Sequence, residues 1–220
     1  MSENDSFIDE VTEEVRRDQL FALFRKYGWI GVVAIMLIVG GAAWVEWTKA
    51  RAEARAQAFG DAVGVALAPS DPATRLAALE KVDSDGDSGR ALVLALLTSA
   101  IAETAGDKEK ALASLKTVSD NGGLPMTYRQ LALLKAVMLA GDTMPPADRD
   151  AILAQLTAPG NPYRSLALEQ EALAQLGGGN TDAAIKILSD LRNDAEASGA
   201  TQARADQLLT ALGQPQPASN

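Results

Sequence analysis

YGWIGVVAIMLIVGGAAWV, residues 27–45, is a run of nineteen residues without a charge. As a helix it measures about 28 Å, close to a hydrocarbon core of about 30 Å. Arg25 and Lys26 stop the run on one side, and Glu46, Lys49 and Arg51 on the other. Tyr27 and Trp29 sit at one end, Trp44 and Trp47 at the other. Such rings favour the two membrane–water interfaces, so these four residues are expected to touch membrane lipid. Two other readings compete. A buried core helix would be equally apolar but would not need paired aromatic ends. A cleaved signal peptide normally starts with a short basic region, whereas this run follows 26 residues that begin acidic. The expectation is a transmembrane signal-anchor helix over 27–47.

The flanks set the expected orientation. Arg16, Arg17, Arg25 and Lys26 lie before the run; Lys49, Arg51 and Arg55 lie after it. A short basic arm followed by a long domain fits a cytoplasmic N-terminus. The span contains no small residues spaced four apart, the close-packing signature of helix dimers. It also has no ionisable group that would mark an ion pathway. Residues 1–26 read as an amphipathic cytoplasmic arm. Ser6 and Asp9 resemble a capping box, and Val11, Val15, Leu20 and Phe24 form an apolar stripe. That arm suits either the inner leaflet or a docking partner.

The remainder excludes several chemistries. The 220 residues include neither Cys nor His, which removes disulfides, thiolate and imidazole metal ligands, and the commonest general base. A lipoprotein is excluded for want of Cys. A net charge of −9 repels polyanions, so nucleic acid is an unsuitable partner. From Glu46 onward there are 22 acids and 16 bases, about −6. Asp83-Ser84-Asp85-Gly86-Asp87 has a calcium-loop look. Its glycine is fourth rather than sixth, however, and Leu94 stands where the twelfth-position Glu belongs. A helix–helix turn with capping acids is expected there. Lys108, Glu109 and Lys110 read as a solvated first turn. Glu169 and Glu171, two apart, face different sides of a helix and make no catalytic pair. No phosphate loop or nucleophile elbow occurs. The expectation is a non-enzyme without metal or cofactor.

Apolar spacing of three and four predicts an all-α domain over 48–212. Its helices lie near 46–68, 71–82, 88–105, 107–119, 124–140, 145–157, 162–177, 180–197 and 199–212. Gly106, Gly141 and Gly179 mark turns between paired helices at spacings of 35 and 38 residues. Two-helix units of that length are tetratricopeptide-like. Ala111 and Ala184, five after a turn glycine, allow close helix packing, with Leu115 and Leu188 as the large apolar partners. The standard aromatic positions are Ala and Leu, and Thr143-Met144-Pro145-Pro146 is an insertion in the middle unit, so an unrelated helical bundle is the competing fold. Residues 46–82 are expected to form a degenerate first pair, 199–212 a capping helix, and 213–220 a disordered tail. A repeat domain offers a groove lined by the first helix of each unit. Tyr128, Lys135 and Glu169 are the groove candidates.

The order of parts resembles the YfgM-like family, ancillary subunits of the bacterial SecYEG translocon. The resemblance rests on the basic-aromatic boundary Arg25-Lys26-Tyr27-Gly28, the single span and the Trp-x-x-Trp exit at 44–47. An Ala-rich charged helix and degenerate repeats follow. EEVRRDQLFALFRKYG, residues 13–28, looks like the form in alphaproteobacterial members. The resemblance covers residues 7–212, with its specific part in the arm and span. It implies a bacterial inner-membrane protein with its helical domain in the periplasm. It also implies the SecYEG translocon and a membrane-anchored periplasmic chaperone of the prolyl-isomerase type as partners. The competing classes are a scaffold for another envelope complex, respiratory or division, and a cytoplasmic-facing adaptor with reversed topology.

Overall fold

The computed structural model describes residues 3–214, with side chains from Arg25 onward. Side chains of the arm, its capping box and apolar stripe included, lie outside the described residues, as does the tail from 215. Among the described residues the fold is all-α: α1 Glu3–Leu67, α2 Pro72–Leu79, α3 Ser88–Thr104, α4 Lys108–Asp120 and α5 Met126–Ala140. A 3₁₀ turn, Gly141–Thr143, precedes α6 Pro146–Leu156, α7 Arg164–Gly177, α8 Thr181–Arg192 and α9 Gly199–Ala211. Contacts along the chain divide it into two units, Met1–Ala58 and Phe59–Asn220.

In the first unit, the span and the expected 46–68 helix are one helix, α1. It holds the one segment among the described residues long and apolar enough to cross a membrane. Met36, Leu37 and Ile38 are each more than 70% exposed, and none of the apolar window is buried. A soluble core helix would bury this surface, at roughly 2 kcal/mol per large side chain. The core-helix reading is therefore set aside, and α1 is compatible with a single-pass membrane protein.

The second unit is built from local start and stop signals. Asp71, Asp87 and Asp107 cap α2, α3 and α4. Their carboxylates accept the backbone N–H of Thr74 at 2.8 Å, Arg90 at 2.9 Å and Lys110 at 2.9 Å. Pro72 and Pro146 occupy first-turn positions, where a missing N–H costs nothing. Gly106, Gly179 and Gly213 adopt positive φ, near +78°. After each, an N–H returns to the carbonyl five residues back: Asp107 to Ala102, Asn180 to Gln175 and Gln214 to Leu209, at 2.8–2.9 Å. Gly213 and Gln214 thus close α9 rather than belonging to a loose tail.

From α2 onward each helix packs on the next, and α5 also meets α7, as α7 meets α9. Ala111, Ala184 and Leu188 are fully buried and Leu115 is nearly so, as their spacing from the turn glycines requires. Each apolar cluster joins neighbouring helices: Leu92, Leu115 and Ala132 across α3–α5, Leu134, Leu153 and Ala167 across α5–α7, Ala172, Leu188 and Leu209 across α7–α9. The domain is thus a run of helices, each packed chiefly on its neighbours in sequence.

Several boundaries differ from expectation, among them the end of α2, at Leu79 rather than 82, and the start of α5, at Met126 rather than 124. The first pair is incomplete: only Phe59–Leu67 of its first helix cluster with the domain, and α2 packs on α3. Helix α7 starts at Arg164 rather than 162, because the Asn161 side chain accepts the Tyr163 N–H at 2.9 Å and holds a turn. Helix α8 ends at Arg192 rather than 197. The Asp194 carboxylate accepts the Glu196 N–H at 2.9 Å, and the Gln202 side chain donates to the Asp194 carbonyl at 2.7 Å.

Candidate functional site

The aromatic residues at the two ends of the apolar run lie on the surface of α1. Trp29, Trp44 and Trp47 are all at least half exposed. The Trp44 and Trp47 rings lie 5.5 Å apart, and the Arg51 guanidinium sits 4.5 Å from the Trp47 ring centre. At the other end, the Lys26 ammonium is 5.6 Å from the Tyr27 ring centre. A ring topped by a cation presents an apolar body and a charged tip, the arrangement that interfacial depth favours.

In the domain, the first helices of the pairs are α3, α5 and α7. A half-polar cleft of 220 Å³ opens between α3 and α5, lined by Ser99, Glu103, Leu115, Lys135, Met138 and Leu139. Lys135 is half-buried there, one of the three residues singled out by sequence. Tyr128, on the same helix, is 44% exposed. Its neighbour Tyr163 is half-buried, and burial, with a smaller contribution from Tyr128, holds the Tyr163 hydroxyl above the usual tyrosine range.

Glu169 does not belong to the groove. It is 8% exposed, and both its oxygens accept from Arg204 of α9, at 2.7 and 2.6 Å. A carboxylate placed there needs a charged partner, and the bidentate guanidinium supplies it. The Arg204 guanidinium is in turn held above its ordinary pKa, first by the Glu169 hydrogen bond. The first turn of α4 is also more than solvated surface. Lys108 donates to the Ala140 carbonyl at 2.8 Å, closing the end of α5, and Lys110 pairs with Glu80.

Residues 83–87 form a turn. The Asp83 carboxylate accepts the Asp85 N–H at 2.8 Å, Asp85 pairs with Arg90 at 2.8 Å, and Asp87 caps α3. Among the described residues, no three His, Cys, Asp or Glu side chains converge as a metal site.

Sequence spacing missed the apolar part of the surface. Among the described residues of α2–α9, the exposed large apolar side chains, Val93, Met126, Tyr128, Met138 and Leu173, sit on α3, α5 or α7, and Val65 of α1 is exposed in the same unit. Met138 lies three residues beyond Lys135, on the same helix face, which is the signal that would have found it. Comparisons with protein-family models, with curated proteins and with solved structures find no match to this chain.

Proposed function

We propose that this protein is a membrane-anchored protein–protein interaction scaffold, acting as an ancillary subunit of the Sec translocon in the bacterial inner membrane. Its helical domain lies in the periplasm, where it assists a membrane-anchored chaperone in handling translocated chains. The observation that carries the scaffold reading is the set of exposed large apolar side chains on α3, α5 and α7, three of them, Met126, Tyr128 and Met138, on α5 alone. A partner that covered these positions would remove their apolar surface from water. The translocon assignment rests on the resemblance of the arm and span, residues 13–47. Tethering supports it physically: a short linker raises the domain's effective concentration at a neighbouring membrane complex to roughly millimolar, so weak contacts suffice.

The test has two parts. Release of the domain by a protease site engineered after Trp47 should weaken association with the translocon far more than it lowers the melting temperature. Photo-crosslinkers at Tyr128 and Lys135 should capture the periplasmic chaperone or an emerging chain. If the freed domain associates as well as the anchored one, or the crosslinks yield only respiratory or division subunits, a scaffold for another envelope complex replaces this reading.

A further inference from the structure

We propose that the domain carries a second docking site, apart from the α3–α5 cleft, for a partner-protein segment presenting a bulky apolar side chain next to a Lys or Arg. A pocket of 430 Å³ lies between α4 and α6 above α5, and it shares no residue with the α3–α5 cleft. The inserted Met144 and Pro145 form one wall, and Leu112, Leu133 and Ile152 complete its apolar lining. The volume falls within the range of about 300–1,000 Å³ that ligand sites occupy.

The rim identifies the complementary chemistry. Lys116 donates to Asp120 at 2.6 Å, the Ser119 hydroxyl to the Lys116 carbonyl at 3.0 Å and the Thr143 hydroxyl to the Ala140 carbonyl at 2.7 Å. These groups are satisfied by their own chain. Asp148 lines the same pocket, is exposed, and has no side-chain partner among the described residues. What remains for an occupant is an apolar floor beside one unpaired carboxylate, hence an apolar group with an adjacent cation. The net charge of about −6 from Glu46 onward favours a basic partner in the same sense. The pocket is open to solvent along the two helices, whereas small-molecule sites enclose about 70–90% of their ligand. An anchor side chain projecting from a larger partner needs no such enclosure.

The experiment uses the full chain in lipid nanodiscs with ¹³C-methyl-labelled Met and Ile, titrated with capped peptides. Acetyl-Ser-Phe-Lys-Ser-amide should shift the Met144 and Ile152 signals. It should bind roughly threefold more tightly than the Phe-Glu counterpart, the size expected of an exposed ion pair. The Ala-Lys counterpart should leave both signals in place. Asp148→Lys, at an exposed position, should reverse the Lys-over-Glu preference. Equal binding of the Phe-Lys and Phe-Glu peptides would overturn the charge assignment. Absence of any shift at Met144 and Ile152 would overturn the site. If free 2-phenylethylamine bound as tightly as the Phe-Lys peptide, the occupant would be a small amine, and the protein-segment assignment would fall.

Discussion

Ala184 and Ala111 are fully buried where a second helix crosses its own first helix, so neither has room for a larger side chain. Replacing Ala184 with Leu should cost about 1–3 kcal/mol through overpacking, read as a lower midpoint in urea. The Glu169–Arg204 pair makes a different demand. Arg204→Met leaves a carboxylate 8% exposed without its partner. Because the guanidinium itself is 43% exposed and partly screened, the expected loss is about 2 kcal/mol, below that of a fully buried pair. Calorimetry should show a fall of roughly 4–8 °C. Asp194 gives a pH dependence. The Glu196 N–H, then the Arg164 guanidinium, hold its carboxyl below the usual carboxylate range. A depressed folded pKa stabilises the fold above the unfolded value of about 3.9, and that contribution disappears as pH falls through the folded value. Asp194→Asn should therefore flatten the stability profile below about pH 4 and lower stability near neutrality. Unchanged acid titration of unfolding in this variant would contradict the assignment.

The helices differ in how much of them sequence could show. The starts of α2, α3, α4 and α6 were legible because their signals are local: Asp71, Asp87 and Asp107 each satisfy an N–H three residues on, and Pro146 falls in the first turn of α6. The glycine-marked turns were legible for the same reason. The end of α8 was not, because it depends on Arg164, thirty residues away from Asp194, and on Gln202 of the next helix. Lys108 read as solvated surface and Glu169 as a groove residue because their partners, Ala140 and Arg204, lie 32 and 35 residues away in sequence. Gly141 separates two kinds of turn. Its φ of 52° and ψ of −132° depart from the geometry of an ordinary helix end, and the inserted residues continue from it as a 3₁₀ turn. A Cβ added there meets no atom within 4 Å, so the penalty of Gly141→Ala is confined to the backbone, about 1–3 kcal/mol. Chemical denaturation should show that loss without a change in the slope of the transition, whereas a changed slope would mean a different native packing.

At the scale of the whole molecule, the apolar window of α1 and its aromatic, cation-topped ends bear on membrane attachment, and the exposed side chains of α3, α5 and α7 bear on what the attached domain holds. On the proposed topology, protease added to spheroplasts digests the chain beyond Trp47 and spares the arm, and protection of the domain would reverse the orientation. The central claim is that the first-helix face recruits the translocon. Its most direct measurement is native co-purification from mild detergent, comparing the unaltered chain with a Met138→Asp, Leu173→Asp double variant of matched expression and helicity. Both substitutions fall on exposed positions, so the fold should survive them. The account predicts translocon subunits and the chaperone with the unaltered chain and their loss from the variant. Undiminished co-purification with the variant, or an unaltered chain that brings down a respiratory or division complex in their place, would contradict it.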